Sequence, residues 1–133
     1  MAKNKKFKYF KKRMKYWANF FALHDAQVII ELSDSNPSDR ATTHWHGLNT
    51  MPLETPRQFT IKVNKTWIDS KGATKFEIDR TAFHETLEMV MARLRDFANN
   101  SYESVNPREV DGEIHRFIRI MENKVLPKIK QEK

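Results

Sequence analysis

Apolar residues near the start of the chain recur at intervals of three and four, which is the spacing of one face of an α-helix. This stripe consists of Phe7, Phe10, Met14, Trp17 and Phe21. Lysines fill most of the other faces, so the pattern predicts an amphipathic helix over roughly residues 8–23. We expect its aromatic face to pack on a sheet, with its lysines in solvent.

Three segments that follow have the pattern of β-strands. Gln27–Leu32 contains consecutive β-branched residues and leads into the turn-forming residues of Ser33–Asp39. Arg40–Gly47 is a candidate second strand. Gln58–Val63 alternates apolar and polar side chains, which predicts a strand with one buried face.

Two amphipathic helices are predicted to follow. The first is expected to start at Asp79 as its N-cap and to run to about Ala98; its apolar stripe is Phe83, Leu87, Val90, Leu94 and Phe97. The second has Pro107 in its first turn and ends before Pro127; its stripe is Val110, Ile114, Phe117, Ile118, Met121 and Val125. The order predicts an α+β fold, with an N-terminal helix, a small sheet of about three strands and two C-terminal helices.

Length and composition fit one domain. The chain has 133 residues and no cysteine, which excludes disulfides and thiolate metal sites. Its formal net charge of +7 is concentrated before the first acidic residue, Asp25; the basic residues there are Lys3, Lys5, Lys6, Lys8, Lys11, Lys12, Arg13 and Lys15. No uncharged apolar run approaches the roughly 20 residues that cross a bilayer, and no secretory signal is recognisable. We therefore expect a cytoplasmic protein without a transmembrane segment.

The sequence His84-Glu85-Thr86-Leu87-Glu88 has the spacing of a metal site on a helix. In zincins, two ligands one helical turn apart point at one metal, and a Glu next to the first ligand activates the attacking water. His84 and Glu88 are therefore candidate ligands, and Glu85 is the candidate catalytic base. Glu88 stands where the usual motif has a second His, and its harder oxygen also suits Mn²⁺ or Mg²⁺ besides Zn²⁺.

A third ligand is expected from the final helix, where Glu113 and His115 flank the apolar stripe on opposite sides. His115 is favoured because imidazole is the better ligand for zinc, and Glu113 remains the alternative. His44 and His46 share one face of a candidate strand, but without a third nearby ligand they are interpreted as exposed or packed side chains. His24 is interpreted as the cationic end of the first helix.

The stretch from Asp79 to Glu88, followed by the segment from Glu113 to Arg119 and by Met121-Glu122-Asn123, resembles small phage-encoded metallopeptidases of minimal zincin type. The resemblance covers roughly residues 28–125. It implies a zincin-like domain over 24–133, preceded by a basic amphipathic helix or arm over 1–23.

The same resemblance implies that His84, Glu88 and His115 bind Zn²⁺ and that Glu85 is the base in hydrolysis of a peptide or protein substrate. The expected location is the cytoplasm of the host cell. In this interpretation, the Gln58–Val63 strand is the sheet edge that holds an extended peptide by β-augmentation.

The alternative function is a non-enzymatic module that binds nucleic acid or protein through residues 3–15, for example as a virion or assembly component. Clustered lysines suit phosphate contacts, and aromatic side chains can stack on bases. The aromatic residues considered for this role lie in or directly after the segment; they are Phe7, Phe10, Tyr16 and Trp17.

Overall fold

The computed structural model describes residues 2–23, 26–34, 39–45, 57–99 and 106–126. The helices and strands, in chain order, are α1 (Ala2–Phe20), β1 (Ala26–Ser33), β2 (Ala41–Trp45), β3 (Arg57–Asn64), α2 (Lys65–Ile68), α3 (Lys75–Asn99) and α4 (Pro107–Lys124). The predicted α+β class, with an N-terminal helix, three strands and helices after them, is confirmed. The one-turn helix α2 was not predicted. Predictions that fall on His24, His46, Gly47 and Pro127 lie outside the described residues.

The three strands form one mixed sheet in the order β1-β3-β2. β1 runs parallel to β3, and β2 runs antiparallel to it. The apolar face of β3 is buried through Phe59, Ile61 and Val63, as its alternation predicts. The expectation that this strand is a sheet edge is wrong, because it pairs on both sides. Alternation reports which face of a strand is buried, and it carries no information about which edge is free.

Helix α1 has the predicted apolar face, because Phe10, Met14 and Trp17 are all buried. This face packs mainly on α3, and not on the sheet as expected. The Trp17 and Phe83 rings meet edge to face, with their centroids 4.7 Å apart. Since all of these side chains belong to one hydrophobic cluster, α1 contributes to the same core as α3.

The first turn of α3 lies upstream of its predicted position. The helix begins at Lys75, and the Thr74 hydroxyl accepts a hydrogen bond from the Glu77 backbone N–H at 3.2 Å. Thr74 therefore caps the helix, and with Glu77 it has the spacing of a capping box. Asp79 is not the N-cap: it lies in the second turn, where it is buried and accepts hydrogen bonds from Arg13 and Trp17.

Helix α4 runs antiparallel to α3, as three contacts along the pair show. Arg95 lies 3.3 Å from Asp111, His115 lies 3.2 Å from Glu88, and Glu122 lies 2.9 Å from His84. The buried apolar members of the predicted α4 stripe are Ile114 and Ile118, whereas Phe117 is 40% exposed. Within the described residues, no helix is both long and apolar enough to cross a membrane.

Candidate metal centre

His84 and Glu88 of α3 and His115 of α4 place one ligand atom each within 4.8 Å of one another. Glu88 Oε1 lies 3.7 Å from His84 Nε2 and 3.2 Å from His115 Nε2. In a tetrahedral zinc site with bonds of about 2.0–2.1 Å, neighbouring ligand atoms are about 3.3 Å apart. One cation therefore fits between these three atoms after small side-chain adjustments.

The Glu88 carboxylate has one satisfied oxygen and one unsatisfied oxygen. Oε2 accepts a hydrogen bond from Arg95 Nη1 at 2.8 Å. Oε1 is buried and has no hydrogen-bond partner within the described residues. A buried oxygen without a partner is destabilising, and coordination to a cation would remove that penalty. The donor set and this oxygen both fit a metal ion.

Both imidazole rings have Nδ1 next to a group that only accepts hydrogen bonds. His84 Nδ1 lies 2.9 Å from Glu122 Oε1, and His115 Nδ1 lies 2.9 Å from the Asp111 carbonyl oxygen. In the neutral rings the proton is therefore on Nδ1, which leaves the Nε2 lone pair directed at the cluster. This is the arrangement of metal-binding histidines in proteins, whose second nitrogen donates to a carboxylate or carbonyl.

The charges around His84 and Glu122 are coupled. Burial acts to lower the pKa of His84, but the hydrogen bond to Glu122 and the neighbouring carboxylates of Glu85 and Glu88 raise it overall. Burial acts to raise the pKa of Glu122, and the hydrogen bonds from His84 and Arg80 lower it overall. Arg80 and His84 therefore favour the anionic form of Glu122, and the surrounding carboxylates favour a positive charge at His84.

Glu85 has the position and the acidity of a general base. Its side chain is buried, and Oε1 accepts a hydrogen bond from the Thr43 hydroxyl of β2 at 2.8 Å. Oε2 lies 4.0 Å from His84 Nε2. Burial raises the pKa of Glu85 from 4.5 to about 7. One oxygen is thus fixed by the sheet, and the other is near the candidate metal position.

The four favoured site residues of the sequence analysis come together, and the alternative ligand does not. Glu113 is exposed, with a carboxylate oxygen 3.9 Å from Arg116 Nη1, and it is absent from the cluster. His44 is exposed on β2. Of the two candidates on α4, His115 has the geometry of a third ligand.

Two residues that position this site were not identified from the sequence, namely Thr43 and Glu122. Glu122 is seven residues after His115, so both lie on one face of α4. That spacing was a usable signal. The sequence contained no signal for Thr43, because no local pattern connects it with Glu85, which lies 42 positions away.

An open cleft of about 370 Å³ lies beside His84 and Glu85, bounded on one side by β2 through Ala41. Three guanidinium groups also line it, those of Arg40, Arg80 and Arg119. A small polar or charged ligand could therefore reach the edge of the cluster from solvent.

No protein-family model matches this chain, and neither a curated protein nor a solved structure does.

Proposed function

We propose that this chain is a zinc-dependent hydrolase of peptide bonds, with His84, Glu88 and His115 as ligands and Glu85 as general base. The observation that carries the proposal is the unsatisfied oxygen of Glu88, which is buried between two imidazole Nε2 atoms. Two histidines and one glutamate form a ligand set found in catalytic zinc sites.

The donor set favours zinc over the other divalent cations considered. Imidazole nitrogens suit Zn²⁺, whereas Mg²⁺ takes oxygen ligands and Mn²⁺ binds the same site more weakly. A zinc ion bound here supplies a Lewis acid that polarises a carbonyl group and makes water more acidic. The two Nδ1 hydrogen bonds hold both rings in the tautomer that such an ion needs.

Glu85 is suited to accept the proton of an attacking water. Its pKa of about 7 in the metal-free protein is close to the value at which a base transfers protons efficiently near neutral pH. A nearby cation lowers this pKa and increases the ionised fraction. The Thr43 hydrogen bond fixes one oxygen, so the free oxygen is the proton acceptor.

The strand that would hold an extended peptide is β2, and not β3 as the sequence suggested. Among the described strands β2 pairs with β3 alone, so it is an edge of the sheet. Its residue Ala41 lines the cleft, and its Thr43 holds the base. A peptide paired to the free edge of β2 would therefore run past Glu85 with its backbone groups satisfied.

The proposal is tested by metal analysis and peptide hydrolysis on the same preparations. We expect about one zinc per chain in wild type, in Glu85→Gln and in the control Glu113→Gln, and loss of zinc in His84→Ala. Hydrolysis of a denatured protein substrate should be lost in both His84→Ala and Glu85→Gln and retained in Glu113→Gln. Zinc should also raise the melting temperature of every variant except His84→Ala. A wild-type protein without stoichiometric zinc would refute the proposal.

The basic face of α1 favours one rival function, which is non-enzymatic binding of a polyanion such as nucleic acid. Lys5, Lys8, Lys12 and Lys15 are all exposed and form one stripe along the helix. Base stacking has less support, because Phe10 and Trp17 are buried in the core. Deletion of residues 1–15 would remove core residues, so replacement of these lysines by Gln is the better test. Steeply salt-dependent binding to single-stranded DNA that the replacements abolish would support the rival.

A further inference from the structure

Arg119 is a cleft residue that forms no ion pair with any other described residue. It is exposed on α4, one helical turn after the proposed ligand His115, and it lines the cleft beside His84 and Glu85. No hydrogen bond or ion pair joins it to any other residue in the described part of the chain. Its guanidinium donors are therefore unoccupied by any of the described residues.

The other two guanidinium groups of the cleft are already engaged. Arg80 donates through Nε to Glu122 Oε2 at 2.8 Å, and Arg40 donates through Nη1 to Glu77. Only the terminal nitrogens of Arg80 remain for a further contact. Arg119 thus differs from its two neighbours in having no carboxylate of its own.

None of the acidic residues that line the cleft forms an ion pair with Arg119 in the described part of the chain. Glu122 is shared between Arg80 and His84, and Glu85 is buried against Thr43. The remaining carboxylate, that of Asp39, is exposed. Among the described residues of the cleft, Arg119 is therefore the guanidinium group without a carboxylate partner, and the terminal nitrogens of Arg80 are further donors on α3.

We infer that Arg119 binds a carboxylate of the peptide substrate, next to the bond that is cleaved. This inference rests on the proposed function and names the substrate class for it. A guanidinium group forms two parallel hydrogen bonds with a carboxylate, which fixes the orientation of that group as well as its position.

The spacing along α4 limits where this carboxylate lies in the substrate. Four residues of helix separate Arg119 from His115, a rise of about 6 Å. An extended peptide advances about 3.3–3.6 Å per residue, and the long Arg119 side chain adds to the helical rise, so the bound carboxylate belongs to a residue within a few positions of the cleaved bond. Two sources have the same chemistry: the C-terminal carboxylate of the substrate, or the side chain of an Asp or Glu.

The test is a titration followed by NMR on the ¹⁵N-labelled, zinc-loaded Glu85→Gln variant, which cannot consume the probe. The probes are acetyl-dialanine with a free carboxylate, the same compound as its C-terminal amide, and acetyl-glutamyl-alanine amide. We expect the Arg119 Nε–Hε signal to shift, and one or both carboxylate probes to bind roughly tenfold more tightly than dialanine amide. The carboxylate probe that binds more tightly shows whether the bound carboxylate is the C-terminus of the substrate or an acidic side chain.

Two arginine variants serve as a matched pair in the same titration. Arg119→Gln should remove the preference for a carboxylate, whereas Arg116→Gln should keep it, because Arg116 is exposed beside Glu113 and does not line the cleft. Equal affinities for all three probes, or a preference that survives Arg119→Gln, would overturn the inference. Repeating the titration on metal-free protein distinguishes a failure of the proposed hydrolase from a failure of carboxylate binding by Arg119. If the protein binds no zinc but still prefers the carboxylate probes, only the proposed hydrolase is refuted.

Discussion

Helix α3 takes part in two buried clusters of charged residues, and the two differ in how their charges are balanced. The first cluster, around Asp79, joins α3 to α1. Asp79 accepts a hydrogen bond from Arg13 Nε at 2.6 Å and another from Trp17 Nε1 at 2.8 Å. It contains one carboxylate and one guanidinium group, both buried, so its formal charge is zero.

The second cluster, around Glu88, joins α3 to α4 and has an excess of carboxylates. Glu85, Glu88 and Glu122 are all buried beside two imidazole rings. Arg95 pairs with Glu88 and Arg80 pairs with Glu122, but no guanidinium group pairs with Glu85 in the described part of the chain. One oxygen of Glu88 is unsatisfied, and the pKa of Glu85 is raised to about 7.

The contrast separates a balanced ion pair from a cluster that a bound cation would stabilise. In the Asp79 cluster the charges compensate each other, so it stabilises the packing of two helices without any further component. In the Glu88 cluster the fold holds carboxylates together at a cost in stability, which a bound cation would offset. An excess of buried charge of one sign, and not burial alone, is therefore what marks the Glu88 cluster as the candidate ligand site.

The largest effect is expected from breaking the balanced cluster. Asp79→Ala leaves the buried Arg13 charge and the Trp17 N–H without partners, so the free energy of unfolding should fall by about 3–5 kcal/mol. Urea denaturation measures this change. The control combines Arg13→Met with Asp79→Asn, which removes both charges and keeps an acceptor for Trp17. Most of the lost stability should return in this double variant, and a double variant as unstable as Asp79→Ala would contradict the assignment.

A substitution in the Glu88 cluster should have a smaller effect, and it should stabilise the fold instead of destabilising it. Glu85→Gln should raise the free energy of unfolding of the metal-free protein by about 3 kcal/mol at pH 8. The folded-state pKa of about 7 lies above the usual 4.5. Ionisation therefore destabilises the fold progressively from pH 4.5 upward, and the penalty is complete above pH 7. At pH 4 the two proteins should be equally stable.

Urea denaturation of the EDTA-treated wild type and Glu85→Gln at pH 4 and pH 8 tests the direction of this change in the free energy of unfolding. Asp79→Asn is the matched variant, since it makes the corresponding carboxylate-to-amide change in the balanced cluster and should destabilise the protein at pH 8. If both amide variants changed stability in the same direction, the contrast between the clusters would not hold.

Local patterns in the sequence predicted the local parts of this molecule. The helical stripes of α1 and α4 and the alternation of β3 are properties of neighbouring residues, and the structure has these elements. His84 and Glu88 also followed from local spacing, because the helix itself puts residues four apart on one face. His115 needed one further inference, that the two C-terminal helices pack through their apolar stripes.

What the sequence did not predict depends on contacts between distant segments. β3 was predicted to be an edge strand. The two pairings that place it in the centre of the sheet involve residues far from it in the chain, so its own sequence shows no sign of them. Asp79 was taken for an N-cap, since its residue type favours one; its partners on α1 lie 62 and 66 positions away. Thr43 reaches the site in the same way, through tertiary packing.

The smallest effect is expected from Glu122, which contacts a proposed ligand without being one. In Glu122→Gln the amide oxygen can still accept the hydrogen bond from His84 Nδ1, but the negative charge that makes His84 more basic is lost. Zinc affinity at pH 8 should fall about tenfold. Isothermal titration calorimetry measures it, with the exposed Glu109→Gln on the same helix as control.

The pH dependence shows whether Glu122 acts through His84. The hydrogen bond from Glu122 contributes to the raised pKa of His84 in the metal-free protein, so protons compete with zinc for this ring as the pH falls. Removing the carboxylate weakens zinc binding and proton binding together. The difference in affinity between wild type and Glu122→Gln should therefore narrow between pH 8 and pH 6, whereas Glu109→Gln should match wild type at both. If the difference in zinc affinity between wild type and Glu122→Gln stayed constant with pH, Glu122 would not act through the basicity of His84.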